Sequence, residues 1–388
     1  MVEWKKLWEV TTWDKRFSGV DKYMQPKVIK YFYYLANELA DLERNNGDIR
    51  ILYTTQKEAY ANSSDVYNNI SEGEVVTIPW GGNVTIQYFK GKFVTADNRI
   101  ATSNDKNYLT NKFLYYWMLS QKREIEKMYR GAGIKHPSML SVLSMQIPIP
   151  SLSEQERIVG ILDTFTAAID NLKAQIAQRR KQYEYYCDQL LDLEGKEGVE
   201  MKTLGEVCKI GDGLHGTPKY NESGDYYFIN GNNLFCGKIV LKSDTKKIDG
   251  LEFAKYGIEF DDETILMSIN GTIGNIAIYN REKIVLGKSA AYFVIDKKKV
   301  LHYRFLYYIL QTSYSKKYYK ESLTGSTIKN LGLKALRGFF IPVPILKEQQ
   351  RIVSILDTFE SSITNLESQL SQREKQYEYY RNKLLTFE

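Results

Sequence analysis

Histidine and cysteine are scarce in this chain: there are three of each among 388 residues, the cysteines at Cys187, Cys208 and Cys236. Scattered in this way, with no Cys-x-x-Cys pair, they fit neither a disulfide framework nor a zinc site. No apolar run approaches the roughly eighteen residues of a membrane-spanning helix, and the opening Met1 to Val10 lacks the pattern of a secretion signal. A soluble, cytoplasmic protein with no membrane partner is expected. Motifs of catalysis are missing too. There is no P-loop, no Gly-x-Gly-x-x-Gly after a strand, no His-Glu-x-x-His and no Pro-Pro pair, which removes the Asn/Asp-Pro-Pro-aromatic motif of adenine methyltransferases. No catalytic residue, cofactor or metal is expected in the chain itself.

What the chain does contain, it contains twice. The 45 residues from Ile147 (IPIPSLSEQERIVGILDTF…) return from Ile341 (IPVPILKEQQRIVSILDTF…) at a constant offset of 194, with 28 identities and no gap. In each copy, bulky residues alternate at steps of four and three. They are Ile158, Leu162, Phe165, Ile169 and Leu172, continuing through Ile176, Arg179, Tyr183, Tyr186 and Leu190, and Ile352, Leu356, Phe359, Ile363 and Leu366, continuing to Leu384. A mean spacing of 3.5 keeps one stripe facing a partner helix, the pattern of a coiled coil. The spacing predicts two long helices that pair along this seam. Ser153 with Glu156 suggests a capping box at the first start, and Lys347 with Gln350 a weaker one at the second. About forty residues make a rod of roughly 60 Å.

The repeat is larger than the helices. Val2-Glu-Trp-Lys-Lys-Leu7 echoes in Val199-Glu-Met-Lys-Thr-Leu204, Phe113-Leu-Tyr-Tyr116 in Phe305-Leu-Tyr-Tyr308, and Gly131-Ala-Gly-Ile-Lys135 in Gly325-Ser-Thr-Ile-Lys329. The expected organisation is α+β: globular domains at 1–150 and 195–346, helices at 151–194 and 347–388, and a short link at Glu194 to Gly198. Since the first helix delivers the chain to the second domain, the helices can pair only by running antiparallel, giving a pseudo-two-fold tandem repeat. The domains are not simple copies. Pro26 to Arg44 reads as a helix in the first, whereas the second carries the glycine-rich Gly211 to Tyr220. Strands are expected near Glu74–Ile78 and Thr264–Ile269, each ending in a glycine turn.

With 53 basic against 47 acidic residues, the net charge of +6 permits nucleic-acid binding without demanding it, and thirty tyrosines and five tryptophans suit base or interface contacts as well as cores. Donor-rich loop residues are the candidates for DNA contact: Trp80, Asn83, Asn98, Arg99, Lys135 and His136 in the first half, and His215, Thr217, Lys219, Asn270, Thr272, Lys288, Ser289, Thr327 and Lys329 in the second. Arg, Lys, Asn and His suit base edges, while Lys, Thr and glycine-turn amides suit phosphates. Each is equally compatible with an ordinary turn.

The duplicated Ile-Pro-x-Pro…Glu-Gln-x-Arg-Ile-Val-x-Ile-Leu-Asp-Thr-Phe helix, Gly211-Asp-Gly-x-His-Gly-Thr-Pro-Lys-Tyr220, Asn270-Gly-Thr-Ile-Gly274, Gly325 to Lys329, Thr11 to Phe17 and Val76 to Gly82 are similar to motifs of one family. The chain resembles the DNA-specificity subunit of type I restriction-modification systems over nearly its whole length. The resemblance implies two target-recognition domains, each reading half of an interrupted site on double-stranded DNA, and helices that set the gap and hold two methyltransferase subunits. It also implies N6-adenine methylation with S-adenosylmethionine in the methyltransferase partner, and ATP and Mg in a restriction subunit that completes the complex. The two domains differ so much that an asymmetric target is expected. Two other readings are a coiled-coil scaffold whose end domains bind proteins, and a self-contained methyltransferase or nuclease, against which the missing motifs argue.

Overall fold

The echo at the head of each half becomes an edge strand. In the computed structural model, which describes residues 2–66, 69–325 and 329–387, Glu3–Lys6 runs antiparallel to Gln146–Ile149 with Trp4 opposite Pro148. Likewise Glu200–Thr203 pairs with Phe340–Val343, Met201 opposite Pro342. A two-stranded ribbon has open edges, so proline's missing N–H is tolerated there. One turn of helix follows each strand, at Leu7–Val10 and Leu204–Val207, burying its leucine and valine. The glutamate in each turn accepts from a backbone N–H, Lys6 N to Glu9 Oε2 at 2.5 Å and Thr203 N to Glu206 Oε2 at 2.6 Å. The repeated Leu-x-Glu-Val thus has a structural cause.

The first globular part is built on a six-stranded sheet, in the order Thr11–Trp13, Asn98–Ser103, Ser71–Pro79, Gln87–Thr95, Ile49–Leu52, Glu58–Ala61. Trp13, Val76, Ile78, Phe113, Tyr116 and Trp117 lie in its largest core. The second part has a four-stranded sheet, Cys208–Asp212, Ala290–Ile295, Ile265–Ser268 and Ile276–Ile278, beside a three-stranded one centred on Tyr226–Ile229. Both strands expected from the sequence are present and end in their glycine turns. The helix expected over Pro26 to Arg44 shrinks to Ala36–Asp41. Before it the chain is extended, with Ile29 N donating to Trp13 O and Tyr34 N to Thr95 O, each at 3.0 Å. β-branched and aromatic residues in Val28 to Tyr34 favour this once sheet strands offer hydrogen-bond partners.

Each ribbon leads straight into a long helix, Leu152–Leu191 or Leu346–Leu384. The starts differ from the expected capping boxes. Ser151, not Ser153, is the cap, its Oγ accepting from Glu154 N at 3.3 Å; the second helix follows Ile345, whose side chain has no acceptor, and Lys347 and Gln350 lie inside the first turns. The duplicated glutamine holds the start instead. Fully buried Gln155 accepts from Thr110 N at 2.9 Å and donates to Tyr108 O at 2.8 Å and Pro150 O at 3.0 Å. Gln349 repeats this with His302 N at 2.9 Å and the carbonyls of Val300 and Pro344, both at 2.7 Å. Two turns later, Asp163 accepts from Tyr116 Oη at 2.6 Å and pairs with Lys112 at 2.7 Å. Asp357 accepts from Tyr308 and pairs with Arg304, which also meets Glu360 at 2.9 Å. These bonds explain why Phe-Leu-Tyr-Tyr and Leu-Asp-Thr-Phe are duplicated together.

The chain forms two compact units, Met1–Leu172 with Gln369–Glu388, and Lys173–Ser368, so each takes part of both helices. In the first, Ile158 and Leu162 join the core with Leu385, while Phe165 stacks on Tyr380 (centroids 5.4 Å apart, planes at 27°) under Arg373. In the second, Ile352 and Leu356 join the core with Cys187 and Leu191, while Phe359 stacks on Tyr186 (5.4 Å, 28°) under Arg179. Ile169 is buried; Leu172, Ile363 and Leu366 are half-buried. Numbers rise along one helix as they fall along its neighbour, so the pairing within each unit is antiparallel. The seam is shared: its first two positions are domain core, and the third, Phe165 or Phe359, stacks on the other helix. All three cysteines are free.

Candidate nucleic-acid interface

In the first unit, two turns far apart in sequence are tied into one surface. Gly82 N donates to Lys135 O at 3.0 Å, and His136 Nδ1 lies 2.8 Å from Trp80 O, with the two rings 5.3 Å apart. Asn83, Lys135 and His136 are exposed and Trp80 is half-buried. Beneath the indole lies the Arg99 guanidinium, 4.5 Å from the ring centroid, with Lys15 Nζ at 5.3 Å. Arg99 is held by Asp14, whose carboxylate sits 3.2 Å away and also accepts from Ile100 N at 3.0 Å and Tyr33 Oη at 2.9 Å. Burial raises the Asp14 carboxyl above its ordinary range, against the pull of the Ile100 N–H and of Arg99. The pair therefore gives a fixed support for Trp80 more than it gives stability.

Two candidates belong to the interior. Asn98 is fully buried, its amide donating to Leu52 O at 2.8 Å and Thr95 Oγ1 at 3.0 Å. Arg99 is nearly as buried and donates to Asn98 O at 2.7 Å. Expected as loop donors open to solvent, they instead open the strand Asn98–Ser103 just after the bend at Asp97 (φ 47°) and lie buried there.

The second unit gathers four glycine turns. Leu214 N donates to Leu286 O at 2.7 Å and Lys288 N to Leu214 O at 3.0 Å, joining the Gly211 and Gly287 turns. Gly231 N donates to Ser289 Oγ at 2.9 Å, which itself donates to Asn230 Oδ1 at 3.0 Å. Ile269 N donates to Ser289 O and Leu331 N to Ile269 O, each at 2.9 Å, and Asn270 bridges Asn330. Glycine is required at the close approaches: a Cβ on Gly213 would stand 2.1 Å from the Leu286 backbone oxygen, and one on Gly287 2.3 Å from the Asn230 side-chain Oδ1. The cluster brings together His215, Asn270, Thr272, Lys288 and Ser289, with Lys329 beside Asn330. His215 Nε2 lies 2.8 Å from Asp212 Oδ2, which orients the exposed ring. Thr272 Oγ1 reaches Ser268 Oγ at 3.3 Å, and Lys288 and Lys329 are exposed. Thr217 and Lys219 are exposed farther along their loop, where Lys219 N donates to Glu252 Oε2 at 2.8 Å. Thr327 lies outside the described residues.

Sequence reasoning missed Asp14, Lys15, Tyr33, Asn230 and Gly231. Asp14 and Lys15 lie inside the Thr11 to Phe17 motif, but nothing local marked the others. Among the described residues, no group of His, Cys, Asp and Glu could hold a metal ion, and no helix is long and apolar enough to cross a membrane.

Fold and clusters together define a class: a tandem-repeat α+β protein that presents two unlike, donor-rich loop surfaces and carries two long paired helices. The sequence model of the type I restriction modification DNA specificity domain matches residues 28–179 and 196–374. The specificity subunit of the type I restriction enzymes EcoR124I/EcoR124II of Escherichia coli is 34% identical over 330 residues, 77% of this chain and 76% of that protein. A putative type I restriction enzyme specificity subunit of Haemophilus influenzae is 32% identical over 338 residues, 81% and 83% of the two chains. The crystal structure of the type I restriction-modification S subunit from M. genitalium shares the fold, with a TM-score of 0.64, 18% identity, and coverage of 100% of this chain and 97% of that one. The chain belongs to the type I restriction-modification DNA specificity family.

Proposed function

We propose that this chain is the sequence-reading subunit of a type I restriction-modification complex acting in the cytoplasm. Each globular part reads one half of an asymmetric, interrupted target on double-stranded DNA, and the long helices set the gap and dock two methyltransferase subunits. Methylation of adenine N6, with S-adenosylmethionine and the catalytic residues, belongs to those partners; ATP and Mg belong to the restriction subunit. The observation that carries this reading is that two different sets of exposed donors, one around Trp80 and Lys135 and one around His215 and Lys288, stand on braced turns in a chain of this family. Different donor sets select different base edges.

Two measurements test it. Filter binding of random duplexes across a salt series is expected to show a steep slope, since a reader of DNA releases counterions; a flat slope would point to a scaffold for proteins. Methylome sequencing of a host carrying the locus is expected to show adenine methylation at a bipartite asymmetric site. Adenine methylation by the purified chain alone would contradict the proposal.

A further inference from the structure

The turn that carries Lys135 also carries an apolar residue that no core claims. Ile134 is 70% exposed, in a run from Arg130 to His136 in which every residue is exposed. The run is not loose. Tyr129 and Arg130 pair with His136 and Pro137 as a short hairpin, and Gly82 N and Trp80 O fasten it to the neighbouring turn. Gly81 is where the two turns touch: a Cβ there would stand 2.8 Å from Ile134 Cγ2 and 3.1 Å from His136 Cε1. Ile134 is therefore braced on one side and open on the other. Leu251 is more exposed still, but it sits beside Asp249 and Glu252 on a capped helix. Within the run the charges are of one sign. Arg130 and Lys135 flank it, and the run contains no acidic residue. The same Ile-Lys pair recurs as Ile328 and Lys329; Ile328 lies outside the described residues.

A rigid apolar tip between cations fits one polyanion with an apolar interior, the stacked duplex. Side chains such as isoleucine enter a groove and part a base step while neighbouring cations hold phosphates. We infer that Ile134 is a wedge that opens one base step in the first half-site, with Lys135 and Arg130 gripping the flanking phosphates. This rests on the reading that the Trp80–Lys135 surface meets DNA.

The test uses the complete methyltransferase complex and target duplexes with 2-aminopurine placed at successive positions of the first half-site. The wild-type complex is expected to raise fluorescence at one step. Ile134→Ala is expected to lose that rise and to bind about tenfold more weakly, the loss expected for one buried aliphatic side chain. Ile134→Phe restores the rise. As Ile134 is exposed, the thermal melt should not move. An unchanged affinity and fluorescence profile for Ile134→Ala overturns the inference, and so does a wild-type complex that brightens at no position. Lys135→Ala tests the underlying reading separately: its salt slope should fall by about one phosphate contact. An unchanged slope removes this surface from the DNA, whatever Ile134 does.

Discussion

Gln155 shows how much one side chain can settle. Its amide satisfies Thr110 N and two carbonyls where the first long helix begins, and Gln349 does the same for the second. Replacing it with leucine strands a buried N–H and two carbonyls, so Gln155→Leu should cost about 2 to 5 kcal/mol, read by chemical denaturation of the full chain. A cost below about 0.5 kcal/mol, typical of a surface change, would show that water or relaxation replaces those bonds. Exposed residues act elsewhere. Lys288 sits at the rim of the second cluster with its backbone fixed by Leu214, and Lys288→Ala should lower the salt slope of binding by about one while weakening all sequences alike. An unchanged slope places it off the interface. The sequence marked Asn98 and Lys288 in the same way, as polar residues in turns. Only the fold shows that one faces the interior and the other solvent.

At the scale of elements, the two helices make the same contact twice. Phe165 on Tyr380 and Phe359 on Tyr186 agree within 1° in plane angle at the same 5.4 Å separation, each under an arginine. Phe165→Ala and Phe359→Ala should each cost roughly 2 to 3 kcal/mol, less than a fully buried phenylalanine because both rings are half-buried. Thermal melts followed by circular dichroism at the helix band check this; one large and one negligible shift would mean that the repeat is mirrored in geometry but not in energy. The seam itself was legible because its period is local. The helix starts were placed within a residue, but what holds them was not legible, because Gln155 bonds Tyr108, Pro150 and Thr110 from elsewhere in the fold, beside the Ser151 cap. Pro26 to Leu35 was misread for the same reason: the hydrogen bonds that make it extended come from Trp13 and Thr95.

At the scale of the molecule, each compact unit contains a piece of the other half's helix. The first core includes Leu385 and packs Tyr377 against it, and their repeat mates, 194 residues earlier, are Leu191 and Tyr183. A half-chain of residues 1–198 lacks its own Leu385 but carries Leu191, so a second copy can fill the gap. It should form a symmetric dimer and direct methylation to the first half-site and its inverted repeat. The fit will be imperfect, since Cys187 stands where Arg381 lies 5.5 Å from the Tyr377 ring. Light scattering that finds only monomer at micromolar concentration would refute this. Exchanging residues 199–340 for those of a relative should change one half of the target only, as methylome sequencing would show; a change in both halves would mean that the domains do not read independently.

The sequence by itself determined the duplication, the two helices, their seam and their antiparallel sense, because a heptad period and the order of connections are carried by neighbouring residues. It also contained every motif that ties the chain to its family. Tertiary structure alone decided which turns meet. Gly213 lies near Leu286 and Gly231 near Ser289 only because strands tens of residues apart pair in one register. The free energy of such pairing belongs to the closed sheet and not to either strand, so no local pattern records it. The same closure buries Asn98 and Arg99 and leaves Lys135, His215 and Lys288 facing outward.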